Sequence, residues 1–158
     1  MKKVFLIIIF HSVFWLTIQL LIAHLGTKIS LKFLKKHHFY FRSFNFERRG
    51  EIWNQYFKVS QWERWIPEGS KLNHNIYDKG ALTHDLGNTR QLLLEMKRTE
   101  SIHWISILPV IVFIKAPKYI KVINVLYVFL SHLPIIITQR YNRPRIERLM
   151  RLMEKRGR

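Results

Sequence analysis

The densest polar cluster bordering apolar sequence is Glu95-Met96-Lys97-Arg98-Thr99-Glu100-Ser101-Ile102-His103-Trp104. On a helix advancing about 100° per residue, Glu95, Thr99 and His103 form one stripe, with Glu100 about 60° further round and one turn from His103. An imidazole beside a carboxylate suits general base catalysis. The ring takes a hydroxyl proton while the carboxylate fixes its tautomer and stabilises the imidazolium. His103, Glu100 and Arg98 are therefore the candidate catalytic residues, with Glu95 on the same stripe assigned to substrate binding. The same spacing also fits a salt-bridged helix end with a satisfied histidine.

Arg140, Arg143 and Arg145, set around Asn142 and Pro144, form a second cluster. Guanidinium groups grip phosphate or carboxylate bidentately, so Arg140, Asn142 and Arg143 are candidate ligands for a substrate anion or a developing oxyanion. They fit a positive anchor beside a membrane equally well. Asn73-His74-Asn75-Ile76-Tyr77-Asp78 places His and Asp four apart and is followed by His84-Asp85. This falls one residue short of the H-x4-D pattern of glycerolipid acyltransferases, and Asn and Asp in such loops commonly form turns. No H-E-x-x-H or cysteine-containing signature accompanies these residues, so no metal site is expected. His37 and His38 read as a solvated face, while His11, His24 and His132 are isolated in or near apolar blocks.

With no cysteine, the chain has neither disulfides nor a thiolate nucleophile. A G-x-S-x-G elbow, a P-loop and a dinucleotide-binding glycine pattern are also missing from the sequence, which argues against a covalent serine acyl-enzyme.

The elements that must position these residues read as apolar helices. Val4 to Leu25 runs without a formal charge, long enough to cross the ~30 Å hydrocarbon core. The rival is a signal peptide, whose apolar region is usually only about 7–15 residues. Residues 28–100 are basic and rich in aromatic residues, including Phe39-Tyr40-Phe41-Arg42-Ser43-Phe44-Asn45-Phe46 and then Trp53, Tyr56, Phe57, Trp62 and Trp65. They suit either a small core or a surface at head-group depth. Gly69 to Asn88 reads as loops, after which Asn88 or Thr89 caps a helix running on toward Ile114. Residues 102–138 form a hairpin, or a short segment plus a full span kinked at Pro134. The tail, residues 139–158, contains an amphipathic helix with Ile146, Leu149, Met150 and Met153 on one face, expected to lie on anionic lipid.

The net charge is +17, from 27 Lys and Arg against 10 Asp and Glu, and favours anionic partners. Because the tail is strongly basic, the positive-inside rule places it in the cytoplasm. A hairpin at 102–138 would put residues 28–100 on the same side and the N-terminus outside. A single crossing would reverse the middle segment, and Lys2 and Lys3 favour that arrangement.

Ser43-Phe44-Asn45-Phe46-Glu47, Asn75-Ile76-Tyr77-Asp78, Lys97-Arg98-x-Glu100-x-x-His103-Trp104-Ile105-Ser106-Ile107-Leu108-Pro109 and Gln139-Arg140-Tyr141-Asn142-Arg143-Pro144-Arg145 resemble the glycosyl-4,4′-diaponeurosporenoate acyltransferases of staphyloxanthin biosynthesis. Nearly the whole chain shares the resemblance, in matching order. It implies a bacterial cell-membrane enzyme that esterifies the primary hydroxyl of the glucose on a carotenoid glycoside with a branched fatty acyl group. No resident cofactor is expected, only acyl-CoA or an acyl-carrier protein as acyl donor.

The sequence thus predicts a mainly α-helical integral membrane protein: two or three transmembrane helices, a basic amphipathic C-terminal helix and one acyltransferase unit over residues 1–158. Its expected partners are a carotenoid glycoside, an acyl thioester and the lipid bilayer, with a complex among pigment-pathway enzymes left open. Two other classes compete: a non-catalytic membrane scaffold for pigment enzymes, and a membrane-tethered binder of nucleic acid. The basic residues flank apolar blocks rather than forming one groove, which argues against nucleic acid.

Overall fold

The computed structural model describes residues 2–66 and 86–156, and every regular element among them is helical. The His74–Asp78 and His84–Asp85 candidates lie outside the described residues. Helix α1, Lys2–Thr27, is apolar nearly all round, and most of its side chains face outward, with Phe5 and Leu16 each 64% exposed. A helix α5, Leu86–Ile107, continues through a 3-10 turn at Leu108–Phe113, where Pro109 interrupts the α-helical pattern. Helix α6, Lys118–Arg156, then returns antiparallel to it over 39 residues, roughly 58 Å at 1.5 Å per residue. Residues 102–138 therefore fold as a helical hairpin. Two helices, Val4–Thr27 and Lys118–Arg156, are long and apolar enough to cross a membrane.

The far end of the three-helix bundle closes on Trp15, Phe113 and Val128. Trp15 Nε1 donates to Asn124 Oδ1 at 2.7 Å, and the Asn124 amide donates to Ile120 O at 2.8 Å, so these two buried side chains are paired. At Gly26 a Cβ would run into the Ile102 side chain, and its absence lets α1 approach α5 closely.

The tail does not form a separate helix. Residues 139–156 make up nearly half of α6, and their end pairs with the start of α5, where Thr89 contacts Met153 and Arg90 pairs with Glu154 at 3.2 Å. Helices α5 and α6 thus continue together past their apolar stretches.

The aromatic middle region wraps around this extension through α2 (Leu31–Lys36), 3-10 turns at His38–Phe41 and Asn45–Gly50, α3 (Glu51–Phe57) and α4 (Val59–Trp62). The small core the sequence offered is formed by some of these aromatic residues, while others stand exposed. Trp53 and Trp62 pack against a core of Val59, Ile137 and Tyr141, whereas Tyr40 and Trp65 are each 75% exposed.

The turn into α3 is conformationally demanding: Arg48, Arg49 and Gly50 have φ of 46°, 58° and 91°. Only glycine adopts such a conformation without strain. Space is short as well, since a Cβ at Gly50 would lie 2.8 Å from Tyr141 O and 3.0 Å from Arg140 O. Pro144 has no N–H to offer the Arg140 carbonyl one turn earlier, and the Gly50 turn packs against this stretch of α6. Gly50→Ala should lower stability by about 1–3 kcal/mol, seen as a lower midpoint of thermal unfolding in detergent. Gly26→Ala should cost less, because the Ile102 side chain can yield. Equal midpoints for Gly50→Ala and wild type would contradict the packing described.

Candidate active site

Where the bundle's apolar section ends, two carboxylates and two guanidiniums meet in the interior. Glu47, on the Asn45–Gly50 turn, receives Arg140 bidentately, Nε to Oε1 at 2.5 Å and Nη2 to Oε2 at 2.9 Å. It also accepts the Trp53 indole N–H at 3.1 Å and the Phe44 backbone N–H at 2.7 Å. Arg140 Nη1 donates to Glu100 Oε1 at 2.8 Å, and Arg143 Nη1 donates to the other Glu100 oxygen. Glu47, Glu100 and Arg143 are each 1% exposed and Arg140 7%. Arginines at 140 and 143 sit three apart on α6, so both reach the same side of α5, where Glu100 stands between them. The ring of Phe44 lies under Arg140 at 4.9 Å, and Phe41 lies 5.8 Å from Arg143.

Beside this cluster, on the apolar side, runs a second polar chain. His103 Nδ1 faces His132 Nδ1 at 2.9 Å, His132 Nε2 faces Gln19 Nε2 at 3.1 Å, and Gln19 Nε2 donates to Ser106 O at 3.2 Å. A carbonyl can only accept, so the Gln19 amide nitrogen faces it, and an amide nitrogen only donates. His132 Nε2 therefore accepts, which puts the proton of neutral His132 on Nδ1. That proton is directed at His103 Nδ1, and neutral His103 carries its own proton on Nε2. The half-buried His103 consequently offers an N–H donor to whatever lies beyond Nε2.

The remaining candidates occupy fixed positions. Arg98 Nη1 grips both Glu95 oxygens at 3.0 and 2.9 Å while Nη2 donates to Ile29 O at 3.0 Å, which ties α5 to the connection after α1. Burial raises the Glu95 pKa above the ordinary carboxylate value, opposed by the Arg98 charge and hydrogen bond. Asn142 Nδ2 donates to Glu63 Oε2 at 2.5 Å. Lys97 is 5% exposed with its ammonium 5.9 Å from the Phe41 ring, and burial lowers its pKa, with Glu147 the foremost opposing influence.

Two expectations need correction. Glu100 does not orient His103: its oxygens are held by Arg140 and Arg143, and the partner of His103 is His132 across the hairpin. Neither Arg140 nor Arg143 is presented to a ligand, since both are buried in ion pairs. Glu47, His132 and Gln19 were not among the sequence candidates. The signals were a lone carboxylate in an aromatic motif and two polar residues inside apolar runs, where such residues call for partners. Among the described residues, no group of three or more His, Asp or Glu is placed to hold a metal.

Two concavities flank the bundle, one beside the ion cluster and one at its far end. An open groove of ≈ 1210 Å³ extends along α5 and α6 away from the bundle, and an apolar cavity of ≈ 450 Å³ lies between α1 and α6 around Trp15 and Tyr127.

Fold and site together define a helical bundle whose paired polar groups are concentrated where the apolar helices end. The family model described as glycosyl-4,4′-diaponeurosporenoate acyltransferase matches residues 36–152. Proteins of that name from Staphylococcus aureus strains MRSA252 and Newman are 48% and 46% identical to the chain over 158 residues, covering 99% of it and 96% of each relative. The chain belongs to the glycosyl-4,4′-diaponeurosporenoate acyltransferase family and is an acyl-transferring enzyme. No solved structure matches it.

Removing one member of a buried ion cluster leaves its partners charged and unpaired, typically at a cost of about 3–5 kcal/mol. Glu100→Gln should therefore unfold far below wild type in a detergent thermal melt. Arg90→Ala, which breaks the exposed pair with Glu154, should shift stability by less than about 1 kcal/mol. Similar melts for the two variants would show that the cluster does not hold the fold.

Proposed function

We propose that the protein is an integral membrane enzyme that transfers a branched fatty acyl group from a thioester to the primary hydroxyl of the glucose on glycosyl-4,4′-diaponeurosporenoate, the closing step of a staphyloxanthin-type pathway. One observation carries the assignment of chemistry to this part of the fold: the free Nε2 side of His103 lies where the apolar helices give way to the buried ion cluster. In a bilayer this is the depth at which a lipid-borne sugar meets water-soluble donors.

The hairpin supports one topology. With residues 28–66, 86–100 and 139–156 at the same end of the bundle, both basic segments lie in the cytoplasm, and the Lys115–Lys118 turn and the N-terminus lie outside. Helix α1 supplies Trp15 and Gln19 to the packed interior, which supports an anchor retained in the working enzyme over a cleaved signal. The thirty-carbon polyene would run down the bundle toward the apolar cavity at Trp15, since Asn124 is 14 residues before Thr138 on α6, roughly 21 Å.

In the reaction, the sugar hydroxyl oxygen attacks the thioester carbon, the C–S bond breaks, and the hydroxyl proton ends on the departing thiol. With Nε2 protonated, His103 stabilises the oxyanion of the tetrahedral intermediate by donating to it, in place of the base role suggested by a His–Glu pair. His132 and Gln19 hold that tautomer. Glu47, Glu100, Arg140 and Arg143 fix the α5–α6 register that sets the His103 position, and Arg98, Glu95, Asn142 and Glu63 fasten the flanking segments. All of these are positioning residues in this reading.

The test is ester formation by membranes supplied with the glucosylated carotenoid acid and a branched acyl thioester. His103→Ala should lose roughly 100-fold or more of the rate, the usual cost of an oxyanion donor. His103→Gln keeps an N–H donor but no base and should retain at least about tenfold more activity than the alanine variant. Equal inactivity of the two would return His103 to the role of general base. Full activity of both would remove it from the chemistry, and a wild type that forms no ester would favour a scaffold.

A further inference from the structure

The cations that hold the fold together are compensated. Arg98 is paired with Glu95, and Arg140 and Arg143 share Glu47 and Glu100. The groove along α5 and α6 differs: eight Lys and Arg line it against Glu51 and Glu147 alone. Of those eight, Arg90 is the one with a carboxylate within ion-pair distance among the described residues. Such a concentration of unpaired positive charge is costly for a fold unless an anion enters it.

Position and shape narrow the choice of anion. Pro144 and Arg151 lie 6 and 13 residues beyond Thr138, the end of the apolar run of α6, hence roughly 9 and 20 Å further along the helix. Head groups extend only about 5–8 Å outside the hydrocarbon core. Most of the groove is therefore beyond reach of a lipid phosphate. It is concave, walled by α5, α6 and the α2–α3 connection, and its ≈ 1210 Å³ exceeds the ~300–1,000 Å³ of ordinary small-molecule sites. Phe39, Leu93, Leu94 and Met150 add apolar surface suited to a base. The floor includes the buried Lys97, and six residues along α5, roughly 9 Å, separate Lys97 from His103.

We propose that this groove binds the 3′-phosphate and diphosphate of a coenzyme A thioester, with the pantetheine arm leading along α5 so that the thioester reaches His103. The acyl donor is then nucleotide-linked rather than held on a carrier protein. This rests on the acyl-transfer reading above.

The experiment uses the full-length protein in nanodiscs of neutral lipid, with coenzyme A as the probe, followed by calorimetry. Wild type should bind. Dephospho-coenzyme A and the Arg148→Gln/Arg151→Gln variant should each bind roughly tenfold or more weakly, as expected for lost charge-assisted contacts. Both arginines are exposed and lack ion pairs among the described residues, so the variant should melt like wild type and raise KM for acyl-CoA more than it lowers kcat. Three results would overturn the proposal: no binding of coenzyme A by wild type, unchanged affinity in the variant, or loss of binding when phosphatidylglycerol replaces the neutral lipid. If acyl-carrier protein then supports ester formation where acyl-CoA does not, the groove serves a carrier protein and acyl transfer stands. If neither donor gives ester, the acyl-transfer reading itself fails.

Discussion

Four charges cannot be withdrawn from water in a helical bundle unless each finds opposite charge and hydrogen bonds at once. The Glu47–Arg140–Glu100–Arg143 cluster meets that demand with two acids and two bases, so it is electrically neutral as a unit, and Glu47 adds an indole and a backbone donor. Each carboxylate comes from a different part of the chain and both arginines from α6. The turn at Asn45–Gly50, the middle of α5 and the stretch of α6 around Arg140 must therefore be in register together or not at all. The left-handed backbone at Arg48–Gly50 follows from the same constraint, because the chain has to turn sharply after Glu47 while passing close to the carbonyls of Arg140 and Tyr141. Strain at the turn persists because the ion pairs over-determine it.

The polar chain from Gln19 through His132 to His103 depends on the same register. It links α1, α5 and α6 at one level of the bundle, where alternative partners for an imidazole are scarce. Because Ser106 O anchors its far end, the proton arrangement is determined two residues away from His103. Gln19, which does not touch His103 itself, thus sets through His132 whether His103 donates or accepts.

Local patterns in the sequence revealed the helices and the polar band but not the pairings. Val4–Leu25 and Tyr119–Thr138 announce long apolar helices by length alone, and Pro109 marks where α5 loses its regular form. The stripe calculation correctly put Glu95, Thr99, Glu100 and His103 near one another on α5. It could not say what faces them, since that depends on which residues of α6 come alongside, a fact of tertiary register. Glu100 could have served His103 as a neighbour on the helix, yet two guanidiniums offered a stronger interaction. His132 looked isolated for the same reason: its partners are 29 and 113 residues away in sequence. Periodicity also exposed an apolar face at Ile146–Met153, which the sequence assigned to anionic lipid, whereas the end of this stretch packs against the start of α5. Covering by α5 turns the tail from a surface helix into one wall of a groove.

That change alters what the basic composition means. A tail lying flat would spend its charges on lipid head groups, and the net charge of +17 would read as membrane adhesion alone. Standing against α5 instead, the same arginines project along a shared wall with those of the aromatic middle region. The charge then falls into two populations. One is buried, neutralised and structural, and a mutation there is felt as stability. The other is open and uncompensated, so a mutation there should be felt as affinity for an anion. Because Pro144 adjoins Arg143 and Lys97 precedes Glu100 by a turn, the two populations touch. The contacts that fix the helix register therefore also fix the groove's inner end relative to His103, and groove geometry and fold stability share one mechanical origin.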